Sequence, residues 1–143
     1  MNLVGYEEDF VRWSEQQAQL LKEQKFDLLD LENITDEIES LGKTDKFKIE
    51  RLLTRLFENL LKRKHSGKEE CYRGWDMENI HLKTEIKNLL DDSPSLYNYL
   101  HKVSRDCYKD ALELVNIIYE FYDFSAGLDI EEIVNTLKPD SNI

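Results

Sequence analysis

Asp30, Asn33 and Glu37 are the residues of this 143-residue chain whose types and spacing best suit chemistry. Steps of three and four place them on one side of a helix, beside an apolar stripe formed by Leu31, Ile34, Ile38 and Leu41. Carboxylate and amide oxygens there can bind a hard cation or supply a general base. They can equally form structural ion pairs with Arg51 or Arg55 of the next helix, which is the commoner outcome. We therefore treat the three residues as weak metal candidates and assign no catalytic residue.

A second candidate site is the basic and aromatic region 62–75, which contains Lys62-Arg63-Lys64-His65, Lys68, Tyr72, Arg73 and Trp75. Such a cluster can hold single-stranded nucleic acid through phosphate contacts and base stacking. The net charge of −11 and the acidic pair Glu69-Glu70 oppose this, because nucleic-acid binding depends on neutralising phosphates. We expect a helix end followed by a solvated loop, and nucleic acid is an unlikely partner.

Other catalytic and metal-binding signatures are missing from the sequence. His65, His81 and His101 are dispersed, Cys71 and Cys107 form no CxxC pair, and no Glu-x-x-His, HExxH or glycine-rich phosphate-binding motif occurs. The sequence therefore predicts no cofactor, and it leaves enzyme activity uncertain while leaning against it.

Composition and periodicity predict an all-α fold. The chain is 41% hydrophobic and 34% charged and has few Gly and Pro residues, which fits a single helical domain over residues 1–143. Apolar spacing of three and four predicts a compact bundle of about five principal helices and a short last helix after Asp129. The predicted ranges are 7–25, 30–41 with Gly42 as its cap, a segment begun by Thr44 or Asp45 and ended by 62–65, 75–90 and 96–121.

Further expectations follow from these segments. Ser93 and Pro94 should begin the last long helix, and Trp13 and Trp75 should be buried. The N-terminus lacks the pattern of a signal peptide, and no apolar run approaches the ~20 residues that span a bilayer. We therefore expect a cytoplasmic chain with reduced cysteines and no membrane partner.

The order of several motifs gives a family resemblance. The motifs are Tyr6-x-x-Asp9-Phe10-x-x-Trp13, Leu31-x-Asn33-Ile34-x-x-Glu37-Ile38-Glu39-x-Leu41-Gly42, Leu60-Leu61-Lys62, Trp75 and Asp92-Ser93-Pro94-Ser95-Leu96. On these motifs the chain resembles the bacterial domain of unknown function 29 family over nearly its whole length. It departs from the family pattern at Asn59, where the family often has His. The resemblance implies an all-α fold and a bacterial origin, and supplies no substrate, cofactor or catalytic residue.

The sequence thus favours a small acidic helical protein that acts as a protein-interaction or regulatory module. A protein partner or a homodimer is expected, and the long apolar seam of segment 96–121 is the predicted dimer surface. The alternatives are a metal-dependent enzyme that uses Asp30, Asn33 and Glu37, and a nucleic-acid binder that uses 62–75.

Overall fold

The computed structural model describes residues 2–119 and 127–138, and over these residues the chain is all-α, as predicted. Five α-helices occur in this part: α1 (Phe10–Lys22), α2 (Leu31–His65), α3 (Glu69–Asp92), α4 (Leu96–Ile118) and α5 (Ile130–Thr136). A short 3-10 helix, Phe26–Leu28, lies between α1 and α2. The contacts form two compact units, Met1–Thr44 and Asp45–Ile143. That residues 1–143 form a single helical domain stays a prediction.

The first unit is a helical hairpin of α1 and the beginning of α2. The Asp9 carboxylate accepts a hydrogen bond from the backbone N–H of Arg12 at 3.0 Å and so caps α1. Trp13, Gln17 and Leu20 form the buried row of this helix. Tyr6 contacts Glu37 and Trp13 contacts Asp30. The earlier residue, Tyr6, contacts the later position on α2, and Trp13 contacts the earlier one, so the N-terminal segment and α2 run antiparallel.

Helix α2 is one continuous helix of 35 residues, so the predicted stop at Gly42 is wrong. Gly42 does not adopt a positive φ, whereas Gly67, just after α2, has φ +67°. A glycine inside a helix costs only about 1 kcal/mol relative to alanine. The apolar row that begins at Ile49 is fully buried and more than offsets that cost. The two predicted segments 30–41 and 45–65 therefore belong to one helix.

The second unit has a core built from α2, α3, α4 and α5. Five core side chains come from α2: Ile49, Leu53, Leu56, Phe57 and Leu61. They pack with Ile86 and Leu90 of α3, Leu100, Cys107, Ala111 and Val115 of α4, and Val134 and Leu137 at α5. The short last helix predicted after Asp129 is α5, and Asp129 caps it by accepting a hydrogen bond from the Glu132 N–H at 3.1 Å.

Several predicted boundaries are corrected. The predicted loop shrinks because α3 already begins at Glu69 and takes up Gly74. Helix α4 begins at Leu96 without a side-chain cap, rather than at Ser93-Pro94. Trp75 is only half-buried, since it lies beside the aliphatic stem and ammonium of Lys62 instead of in the core. The predicted continuation of α4 to residue 121 lies outside the described residues.

Candidate functional site

Asp30 lies at the start of α2, where its oxygens are occupied by protein donors. Its carboxylate accepts hydrogen bonds from Trp13 Nε1 at 3.0 Å and from Asn33 Nδ2 at 2.8 Å, and its backbone N–H donates to Gln17 Oε1 at 2.8 Å. The hydrogen bond from Asn33 is the main reason that the pKa of Asp30 lies below its usual value. Asp30 therefore joins the beginning of α2 to α1, and Asn33 holds the Asp30 carboxylate from within α2.

Glu37 is held apart from that pair by a different partner. Its Oε1 accepts a hydrogen bond from the Tyr6 hydroxyl, and this bond raises the pKa of Tyr6. The Tyr6 ring also packs edge-on against Trp13, with 4.8 Å between ring centroids. Within residues 2–119 and 127–138, no group of three His, Cys, Asp or Glu side chains is arranged to hold a metal ion.

The predicted arginine partners of this helix are wrong. Arg55 pairs with Glu78 of α3, with 2.6 Å between Nε and Oε1, and Arg51 lies against the Phe47 ring. Asn33 donates to Asp30 and Glu37 accepts from Tyr6, both within the first unit, whereas Arg55 pairs with Glu78 within the second unit. The role of the three residues as metal ligands remains a prediction.

In the basic region, several cations are engaged inside the second unit. Lys62 Nζ lies 5.3 Å from the centroid of the Trp75 ring. The Arg63 guanidinium stacks on Tyr72 at 3.7 Å and pairs with Asp76 at 3.1 Å. Lys64 donates to the backbone carbonyl of Gly127. In these contacts the cations and aromatic rings of the region bind each other. This arrangement does not favour base stacking on the rings by nucleic acid.

A buried polar cluster between α2 and α3 was missed by the sequence reasoning. Glu58, Asn59, Lys62 and Asn79 are each at most 8% exposed. Burial raises the pKa of Glu58 and lowers the pKa of Lys62, because both charged forms lose hydration. The signal in the sequence was available, since three polar residues at steps of one and three interrupt the apolar stripe of α2.

Asn59 is the most confined member of this cluster and is completely buried. Its amide is close enough to Glu78 to contribute to the lowered pKa of that carboxyl, for which the Arg55 hydrogen bond is the main cause. Yet, among the residues that the structure describes, neither Asn59 Nδ2 nor Oδ1 has a hydrogen-bond partner of ordinary geometry, and Asn79 Oδ1 also lacks one. An amide that is buried in this way costs stability.

A groove of about 480 Å³ beside α4 contains the buried thiol of Cys107. Cys107 Sγ lies 3.7 Å from the backbone carbonyl of Glu50, and burial raises the pKa of the thiol. The Glu50 carboxylate accepts a hydrogen bond from the Tyr99 hydroxyl and raises the pKa of Tyr99 to about 12. A thiol whose pKa is raised is a poor nucleophile, so this groove does not resemble a cysteine-enzyme site.

The hairpin of the first unit carries an exposed apolar surface, which we call the hairpin face. In α1, Phe10 and Leu21 lie beside the buried row of Trp13, Gln17 and Leu20. In α2, an apolar row lies beside Asp30 and Glu37, the residues that contact the N-terminal segment. Because both helices are right-handed and they run antiparallel, these two rows fall on the same side of the hairpin. The hairpin face consists of Phe10, Leu21, Leu31, Ile34, Ile38 and Leu41.

The hairpin face is strongly exposed. Leu31, Ile38 and Leu41 are 63%, 64% and 70% exposed, and Phe10 and Leu21 are nearly half exposed. Glu32, Asp36 and Glu39 project from other sides of α2, so the face itself carries no charge. The predicted dimer surface on α4 behaves differently, because Leu100, Cys107 and Ala111 are consumed by the core of the second unit. At the end of α4, however, Leu114, Ile117 and Ile118 are exposed, so the core covers this predicted surface only in part.

Among the described residues, no helix combines the length and apolar character needed to cross a membrane.

Comparison with known proteins gives a family but no activity. No curated protein and no solved structure matches the chain. The family model described as "Domain of unknown function DUF29" matches residues 5–136, which is nearly the whole chain and includes the hairpin, the polar cluster and α5. The chain therefore belongs to the DUF29 family.

Proposed function

We propose that this protein is a protein-interaction module and that the hairpin face is its contact surface. The observation that carries the proposal is the exposure of Leu31, Ile38 and Leu41 in one row of α2. Singly exposed apolar residues are common in proteins, but a contiguous group of this kind marks an interaction surface.

The size of the face supports this proposal. If each large side chain offers roughly 150 Å² of surface, the exposed fractions of the five most exposed members give about 400–450 Å² of apolar surface. The largest apolar patch of an ordinary monomer measures roughly 300–600 Å² and is often functional. The hairpin holds this surface firmly, because Trp13 and Gln17 bond to Asp30 from the opposite helix.

The chemistry of the remaining candidates is less favourable to an enzyme. Asp30 already accepts hydrogen bonds from two side chains, and Glu37 accepts one from Tyr6, so both carboxylates stabilise the hairpin. The Cys107 thiol is buried and has a raised pKa. These observations favour a structural interpretation of the polar residues, and they leave the hairpin face as the feature that a function can use.

The proposal is tested in extracts of the source cells. The tagged full-length chain is followed by size-exclusion chromatography and compared with Ile38→Glu, which places a charge in the face. Lys43→Gln is the matched control, because it changes the net charge equally on another side of α2. We expect the wild-type chain and the control to elute above the monomer mass of 17.0 kDa and Ile38→Glu to elute as a monomer. Elution of the wild-type chain at its monomer mass would refute the proposal.

A further inference from the structure

We propose that the occupant of the hairpin face is a second copy of this chain, so that two hairpins pair about a twofold axis into a four-helix interface. This inference rests on the proposed function and names its partner. It moves the expected homodimer from the α4 seam, which the second unit buries over most of its described length, to α1 and α2.

The area of the face fits a symmetric dimer. Homodimer interfaces are about 65% apolar, so an apolar area of about 400–450 Å² corresponds to roughly 650 Å² buried on each partner. The total of about 1,300 Å² lies within the range of about 1,200–2,000 Å² that is found for specific interfaces. A twofold pairing needs only one surface, and the hairpin face supplies both sides of it.

The spacing of the α2 row is suited to pairing with itself. Leu31, Ile34, Ile38 and Leu41 follow steps of three, four and three, the repeat that lets ridges of one helix enter grooves of another. Phe10 of α1 widens the row, so each hairpin contributes two helices, as in four-helix bundles. An antiparallel arrangement of the two α2 helices also opposes their dipoles.

The placement of charge favours a second copy over a charged partner. Residues 1–44 contain eleven acidic and four basic side chains, yet the hairpin face contains none of them. Face-to-face pairing leaves Glu32, Asp36 and Glu39 of each copy in solvent, away from the interface. A basic partner would bind through those acidic sides and weaken as salt rises. Self-association through an apolar face between two chains of charge −11 strengthens as salt rises, because salt screens their repulsion.

Sedimentation velocity of the purified full-length chain tests this inference from about 1 to about 100 µM, at low and at high salt. We expect a concentration-dependent shift from 17.0 kDa to twice that mass, with a tighter dimer at high salt. Ile38→Glu should weaken the dimer by at least about tenfold, whereas the control Lys43→Gln should leave it unchanged. Circular dichroism of each variant verifies that the helices are intact.

Leu41→Cys, in a chain with Cys71→Ser and Cys107→Ser, provides a second measurement that adds no charge. We expect it to form a disulfide-linked dimer on mild oxidation far faster than Lys43→Cys does. A wild-type chain that stays monomeric over the whole range overturns the inference. So does a dimer that Ile38→Glu leaves intact and that Ile117→Glu, on the exposed end of α4, dissociates.

The two proposals fail in distinguishable ways. If the purified chain is monomeric while the chain in cell extract forms a complex that Ile38→Glu abolishes, the second copy is the wrong occupant and the interaction module stands. If the chain is monomeric in both settings, both proposals fall.

Discussion

Replacing Asn59 with Leu is expected to stabilise the protein, which is an unusual outcome for a buried position. Leu has the same number of side-chain heavy atoms and the same branching, but it carries no polar group. A buried amide without hydrogen bonds costs about 1–3 kcal/mol. Asn59 is completely buried, and within the described part of the chain neither amide atom has a hydrogen-bond partner. A swap that nearly conserves volume costs less than about 1.5 kcal/mol in packing. The net gain should be about 1–2 kcal/mol.

Thermal and urea denaturation followed by circular dichroism measure this gain. For a chain of this length, 1–2 kcal/mol corresponds to a rise in Tm of about 3–8 °C. Asn116→Leu is the control, because Asn116 is exposed on α4 and the same chemical change should stay within about 0.5 kcal/mol there. The urea m-value should not change, since the unfolding reaction exposes nearly the same surface.

A fall in Tm for Asn59→Leu would refute this reasoning, because it would mean that the amide is hydrogen-bonded in solution. Glu78 is the neighbour to examine, since Asn59 contributes to the lowering of its pKa. If the loss disappears when the substitution is made in a Glu78→Gln chain, the partner is the Glu78 carboxylate.

Three further outcomes follow from the same contacts. Glu37→Ala should lower the Tm more than the exposed control Asp36→Ala, because the Tyr6 hydroxyl loses its hydrogen-bond acceptor. Metal analysis should show the same metal content in the two variants. Loss of bound metal at an unchanged Tm would contradict this prediction. Glu58→Gln should stabilise the protein at pH 7. Because the pKa of Glu58 is raised in the folded state, its contribution to stability is present below the unfolded pKa of 4.5 and is lost as the pH rises through the folded pKa. The stability advantage of the variant should therefore shrink toward pH 4. An advantage that does not vary with pH would point to packing instead. Trp13→Ala removes one of the two large apolar side chains that are buried among the described residues of the first unit, at a cost of about 3–5 kcal/mol. Hydrogen exchange should show that α1 loses protection while the core segment of α2 keeps it. A uniform loss of protection would show that the two units unfold together.

The helical class and most helix positions could be predicted from local chemistry. Steps of three and four mark the buried row of α2 from Ile49 onward, and Asp9 and Asp129 cap their helices through local hydrogen bonds. Capping and amphipathic spacing act over a few residues, so the sequence carries them directly. Gly42 shows the limit of this reasoning. A glycine permits a helix end but does not compel one, and the burial that continues the helix lies beyond it.

The sequence by itself determined that residues 30, 33 and 37 lie together along one polar side of a helix. Their hydrogen-bond partners were decided by the tertiary structure. Antiparallel packing of α1 brings Trp13 to Asp30 and Tyr6 to Glu37, while Arg55 pairs with Glu78 within the second unit. The sequence also determined an apolar row at 31, 34, 38 and 41. Only the tertiary structure decided that most of this row is exposed while the α4 row is buried as far as Ala111. Burial depends on which neighbouring helices pack against a face, and periodicity within one helix does not specify them.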